Sequence, residues 1–262
     1  MHCIARILNM QNQHILKLIE EIKEITSHCL NKGWAERNAG NFSYRLDDNI
    51  VDVGNVFMHS VLSQEETKPH HHDPTHAAFE GGCDISFLIS NSGAKFRDIA
   101  KDPLKHCSIV CSKEGNLSYY STDKKAIPSS ELQSHLLIQR YLQKEQPVKK
   151  SVIHTHPTHL IAFTHKFVGT HPHCPKKHLN DILESIMPEV SMFIPQKTGF
   201  VDLLPAGSSE LAEATLKELT HHDVIVWKKH GCLAVAETLW DAIDMIEILD
   251  KAAYIALLSD LN

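Results

Sequence analysis

With 262 residues, 42% of them hydrophobic and 22% charged, the chain has the balance of an ordinary globular protein of one large domain or two small ones. Its 11 Gly and 11 Pro exclude a collagen-like or low-complexity chain, and no apolar run approaches the ~18 residues needed to cross a bilayer. The net charge of −6, from 26 Lys+Arg against 32 Asp+Glu with no long run of either sign, lacks the basic stripe of a nucleic-acid platform.

The N-terminal MHCIARILNMQNQ has no long apolar stretch followed by a small-residue cleavage site, so no secretory signal is expected. Seven cysteines without any CxxC fit a reduced, cytoplasmic chain better than a disulfide framework. Histidine is abundant, at 20 residues. Most of these are expected to be surface side chains, so the question is whether some are arranged.

In chain order, a helix is expected over about His14 to Asn31, where Ile15, Leu18, Ile19, Ile22, Ile25 and Cys29 recur at three- and four-residue spacing. Gly33 sits where such a helix should stop. The polar turn GWAERNAGN leads into a strand, Phe42–Leu46. The stretch from Asp47 to Gly82 is the least regular. It holds His70, His71, His72 and His76, but Pro69, Asp73 and Pro74 favour a surface loop over a metal site.

Strands are expected at Ile85–Ser90, Ser108–Ser112 and Leu117–Ser121, with the turn NSGAKFRDI between the first two. SSELQSHLLIQRYL then begins a helix, and Ser130 with Gln133 matches a capping box. A strand SVIHTH, a short helix from Pro157, a helix near His178–Ile186 and a strand around Met192–Ile194 follow. After them come a helix from Ser208 to Leu219, the strands DVIVW and CLAVA, and a last helix from Thr238, whose spacing to Asp241 is cap-like. Strands and helices alternate irregularly, with no repeat and no linker. The pattern reads as one α/β domain over residues 1–262, with helices on both faces of a central sheet.

Two strand ends carry the chemistry. In a strand, residues two apart point to one face, so His154 and His156 converge, and Pro157 turns the chain just beyond them. DVIVWKKHG delivers His230 at the end of a second apolar strand, before a glycine. Three histidines with one position open suit a catalytic zinc. His159 is the competing ligand, ranked lower, and a regular strand turns Cys232 the other way. Glu131, early in a helix, is either a helix-start ornament or a base beside the metal, with the Ser129 and Ser130 amides holding an anion. The turns RNAGN and NSGAK could present N–H and hydroxyl groups to a phosphate.

GWAERNAGNFSYRL, FLISNSGAKFRDI, PSSELQSH, VIHTHPTHLIAFT, PEVSMFIP and WKKHGCLAVAETLWDAID together resemble, in the same order, the class II aldolase/adducin family, over about Gln13 to Leu258. HTHPTHLIA and the distant HG are family-wide, whereas GW-ERN-GN and PEVSMFIP look closer to its rhamnulose-phosphate branch. The resemblance implies a single three-layer domain around a mostly antiparallel, mixed sheet. It implies zinc-dependent retro-aldol cleavage of L-rhamnulose 1-phosphate to dihydroxyacetone phosphate and L-lactaldehyde, with one Zn²⁺ per subunit on His154, His156 and His230. By similarity, Glu131 exchanges the proton at the carbon beside the ketone. Glu189 matches a family glutamate that reaches the adjacent subunit's site as a proton donor. The resemblance also implies that the phosphate lies on Asn38, Gly40, Asn41, Ser92, Gly93, Ser129 and Ser130. A cytoplasmic homotetramer with sites between subunits is also implied, acting on a small sugar phosphate and on neither nucleic acid nor membrane.

Sister activities share the three histidines: L-fuculose-1-phosphate cleavage, sugar-phosphate epimerisation and thiosugar-phosphate dehydration. A non-catalytic adducin-like scaffold is the reading from another class, and its expected mark, degenerate ligands, is missing. Three features depart from the family pattern. The phosphate turn reads NAGN rather than carrying two glycines, so Ala39 needs a non-positive φ. NSGAK has an extra Ala. The chain stops at Asn262, soon after its last helix.

Overall fold

The computed structural model describes residues 2–46, 84–114, 116–123, 125–168 and 176–259. The histidines at 70–76 lie outside the described residues. The chain forms two compact units, one of Met1–His28 with Ser43–Ser129, the other of Cys29–Phe42 with Ser130–Asn262. The architecture is α/β, with strand pairs of mixed sense.

Helix α1 (His2–Asn31), which belongs to the first unit as far as His28, begins earlier than its expected start at His14, because no Pro or Gly interrupts the chain before Gly33. Its Ile15, Leu18, Ile19, Ile22 and Ile25 are all buried, as their spacing requires. Gly33 then ends the helix at φ 73, its N–H reaching the Leu30 carbonyl at 2.9 Å. Strands β1 (Asn41–Arg45), β2 (Ile85–Ser90), β3 (Cys107–Lys113) and β4 (Asn116–Ser121) pair in turn, all antiparallel, with Phe87 opposite Val110. The short helices α2 (Phe96–Ile99) and α3 (Pro103–His106) fill the β2–β3 connection. Cys111 is disulfide-bonded, which departs from the fully reduced chain expected. A cysteine count does not say which thiols a fold brings together. Cys29, Cys107 and Cys232 are buried free thiols.

The second unit supplies the candidate site. Its elements are α4 (Leu132–Glu145), β5 (Ser151–Thr155), α5 (Thr158–Val168), α6 (Lys176–Ile186), α7 (Pro188–Phe193), β6 (Thr198–Val201), α8 (Ser209–Leu219), β7 (Val224–Trp227), β8 (Gly231–Ala236) and α9 (Leu239–Leu258). Strands run in the order β5-β8-β7-β6, antiparallel except for the parallel β6–β7 pair. One core cluster joins α4, α8 and all four strands through Ile138, Leu142, Val152, Val201, Leu211, Leu219, Ile225, Trp227, Leu233 and Val235. Each large apolar side chain fully buried there contributes about 1.5–3 kcal/mol. The Trp227 indole N–H donates to the Thr215 hydroxyl at 2.9 Å, which fixes the ring beneath the histidines.

Two expectations are corrected here. The strand around Met192–Ile194 is helix α7, with Pro188 at its first turn. Proline there is pre-set for a helix and needs no N–H partner, a stronger cue than the alternating Val190, Met192 and Ile194. The capping box at Ser130 does not form. Helix α4 starts at Leu132 with Glu131 as its N-cap residue, and Glu131 makes no side-chain cap bond. The Thr238–Asp241 box on α9 is present in full, and the Ser208 hydroxyl caps α8 through the Leu211 N–H.

Candidate metal centre

Antiparallel pairing of β5 with β8 places Thr155 opposite Cys232, and β7 turns into β8 through Lys228, Lys229 and His230. That turn is tight. Lys229 takes φ 64, a left-handed conformation unusual for a residue with a Cβ, and its N–H donates to the Thr164 hydroxyl at 2.9 Å. His230 is thereby set beside the end of β5. The His154, His156 and His230 rings stand at the corners of a triangle, each pair of centroids 5.0 Å apart. One ring nitrogen from each falls within 4.8 Å of the other two. Among the described residues these three are the group of His, Cys, Asp or Glu able to hold a metal ion.

The hydrogen bonding argues for a cation. The Nδ1 of His154 lies 2.8 Å from the Cys232 carbonyl oxygen, and the Nδ1 of His156 lies 2.8 Å from Oε1 of Glu36. Both acceptors fix the Nδ1–H tautomer, which leaves bare lone pairs on both Nε2 atoms. Those two atoms face each other at 3.2 Å. Two lone pairs at that distance repel unless a cation lies between them. A tetrahedral zinc with ~2.05 Å bonds spaces its nitrogens by about 3.4 Å, close to this value. Burial adds to the fit. It holds the pKa of His154 well below its ordinary value and that of His230 at about 4, so both rings are neutral at pH 7, the form that can bind a cation. The Trp227 ring, with its centroid 4.4 Å from that of His154, walls one side.

Gly231 is part of this centre, and sequence reasoning noted it only as the residue after His230. A Cβ there would collide with the Thr155 carbonyl and come within 3.0 Å of both the His154 and His156 rings. Glu36 was missed altogether, because its partner lies 120 residues away. His159 stands outside the three-histidine group, and its Nδ1 and backbone N–H go to the Asp250 carboxylate at 2.8 and 2.9 Å. The Cys232 thiol is fully buried, and burial pushes its pKa well up, so it stays protonated.

Glu131 is buried at 7% exposure. Burial raises its carboxyl pKa, while a hydrogen bond from Asn41 and the charge of His156 pull it down. Asn41 is fixed from the other side by His135, whose Nε2 lies 2.7 Å from Oδ1 of Asn41. Asn38 is exposed and Ala39 half-buried, and the left-handed positions of this turn fall on Arg37 (φ 54) and Gly40 (φ 83). The substitution at Ala39 therefore carries no strain. In the first unit, Ser92, Gly93 (φ 72) and Ser129 are neighbours, held by Ser92 N–H to the Ile127 carbonyl at 2.8 Å and Ser129 N–H to the Ser90 carbonyl at 3.0 Å. Ser130, the next residue, belongs to the second unit. Glu189 lies in the first turn of α7, and among the described residues no hydrogen bond or ion pair joins it to the three histidines. No described helix is long and apolar enough to cross a membrane.

Comparison with known proteins gives the family. Residues 20–257 match the class II aldolase and adducin N-terminal domain. The chain is 34% identical to the rhamnulose-1-phosphate aldolase of Bacteroides thetaiotaomicron over 247 residues, covering 92% of this chain and 85% of that protein. Against the Listeria monocytogenes enzyme of the same name, identity is 28%, over 90% of this chain and 82% of the other. A sugar-phosphate aldolase structure from Thermotoga maritima superposes with a TM-score of 0.72 at 27% identity, covering 95% of this chain and 98% of that one. The chain belongs to the class II aldolase and adducin N-terminal domain family. Within that family it is an enzyme, a carbon–carbon lyase of the aldolase kind.

Proposed function

We propose that this chain is a zinc-dependent aldolase that reversibly cleaves L-rhamnulose 1-phosphate to dihydroxyacetone phosphate and L-lactaldehyde, in the breakdown of rhamnose. The observation that carries the reading is the facing pair of Nε2 lone pairs on His154 and His156, 3.2 Å apart beside His230. The relatives named as rhamnulose-1-phosphate aldolases support the substrate. His154, His156 and His230 would hold the ion, which supplies a Lewis acid for the ketone oxygen when bound.

In cleavage, the bond between the third and fourth carbons breaks. The hydroxyl of the departing aldehyde gives up a proton, and the electron pair stays on the carbon beside the ketone, which takes one up. Glu131 holds the proton exchanged at that carbon. Burial raises its pKa, which favours the carboxyl keeping a proton more readily than an exposed glutamate would, as a proton-exchanging group requires. Asn41, anchored by His135, keeps the carboxyl aimed. Glu189 serves the aldehyde oxygen at the site of an adjacent subunit. The phosphate is held by Asn38, Gly40, Asn41, Ser92, Gly93, Ser129 and Ser130.

The full chain acts as one class II aldolase/adducin-like domain, since the family match runs through both units. We place it in the cytoplasm as a homotetramer. The exposed Met192 (69%) and Phe193 (58%) beside Glu189 support a subunit contact on α7. The test of the substrate is dihydroxyacetone phosphate release from L-rhamnulose 1-phosphate with L-fuculose 1-phosphate in parallel. The rhamnulose ester is expected to give the higher kcat/KM. Preference for the fuculose ester contradicts the assignment and moves the chain to a sister activity.

A further inference from the structure

We propose that Glu36 is a positioning residue of the metal centre, holding His156 in the tautomer and orientation that present Nε2 to the ion. The inference rests on the three-histidine reading above and extends it to a residue outside the ligand set.

Glu36 is a solvent-facing side chain, 66% exposed, and such carboxylates are usually mobile. Here the backbone restrains it. The His156 N–H donates to the Trp34 carbonyl at 2.9 Å, which docks the 34–36 segment onto the end of β5. The Ala39 N–H closes a turn onto the Glu36 carbonyl at 2.8 Å, and Arg37 adopts φ 54 to make that turn. A left-handed non-glycine residue costs energy and persists where its surroundings impose it. The result is Oε1 of Glu36 at 2.8 Å from Nδ1 of His156.

Metal-binding histidines commonly donate their second ring N–H to a carboxylate or a backbone carbonyl, which sets the tautomer and strengthens the ligand. His154 uses the Cys232 carbonyl in this way. Glu36 is the corresponding acceptor for His156, and unlike a carbonyl it brings a full negative charge. A bare surface contact would leave the metal indifferent to its removal.

The experiment measures zinc affinity by competition with a chromogenic chelator for the unmodified protein, Glu36→Ala and Glu36→Gln, with Glu145→Gln as an exposed control. Glu36→Ala is expected to weaken zinc binding about 10- to 100-fold. Glu36→Gln, which keeps an acceptor oxygen but loses the charge, is expected to fall between Glu36→Ala and the unmodified protein. Melting of the metal-free proteins should be unchanged, so that a folding defect is separated from a metal defect. In ¹⁵N spectra of the metal-free protein, His156 should be the Nδ1–H tautomer and become a mixture in Glu36→Ala. Zinc affinity of Glu36→Ala within about twofold of the parent, with the tautomer retained, overturns the inference alone. An unmodified protein that takes up no zinc overturns the three-histidine reading together with it.

Discussion

Replacing Gly231 by alanine adds one methyl group at the most crowded point of the centre. The new Cβ meets the Thr155 carbonyl, which is strand backbone and cannot rotate away, and two ligand rings at 3.0 Å. Relief requires β8 to move off β5 at the strand end that carries His154 and leads into His156. Overpacking of this kind costs about 1–3 kcal/mol. At roughly 2–4 °C per kcal/mol for a protein of this size, the melting temperature should fall by roughly 2–12 °C. Because the displaced groups are the ligands, zinc affinity should also drop, by about tenfold or more, which is 1.4 kcal/mol per factor of ten. Thermal melts of the metal-free and zinc-loaded forms separate the two effects. The loss should be larger in the loaded form. A Gly231→Ala protein with parental melting temperatures in both forms would refute the close approach on which the geometry of the centre rests.

Other expectations follow from the same structure. Glu131→Gln should retain zinc and fold but lose about 10²-fold or more in kcat, read by dihydroxyacetone phosphate release, since it removes a proton-transfer group; unchanged turnover takes Glu131 out of the mechanism. His154→Ala, His156→Ala and His230→Ala should each abolish stoichiometric zinc by elemental analysis, and retention in any one removes that ligand. Burial lowers the His135 pKa from 6.5 to about 3, so between these values the unfolded chain binds more protons and stability rises with pH. His135→Gln should remove up to about 1.4 kcal/mol per pH unit from the slope of metal-free unfolding free energy across that window, measured by urea titration; an unaltered slope refutes a neutral buried imidazole. Asp250 accepts the His159 and Leu160 N–H groups at 2.9 and 3.0 Å at the start of α5, so Asp250→Ala should cost about 1–3 kcal/mol in the same titration.

Much of the centre was legible because its signals are local. Period-two spacing in a strand identifies His154 and His156 as a pair, and the apolar run ending in His230 and Gly231 marks a second strand end. What stayed hidden was long-range. Glu36 sits in a polar turn that reads as a connection, and only folding brings its carboxylate to His156. The same holds for the His135–Asn41 contact, which spans 94 positions and fixes how Glu131 is held. Local misreadings had local causes. PEVSMFI alternates like a strand, but Pro188 starts a helix. TGFV, which forms β6, is four residues long and holds Gly199, whose missing Cβ makes room for Ile225, so propensity alone passed over it. Ala39 seemed to threaten the phosphate turn until the left-handed positions proved to be Arg37 and Gly40.

The central claim is that the three-histidine centre performs sugar-phosphate cleavage with a bound metal. The most direct measurement is dihydroxyacetone phosphate release from L-rhamnulose 1-phosphate by the purified protein as isolated, after removal of metal with a chelator, and after return of one equivalent of zinc. The account predicts release as isolated, its loss with the chelator, and its recovery with zinc. Release that continues undiminished in metal-free protein, or no release from zinc-loaded protein, would contradict it.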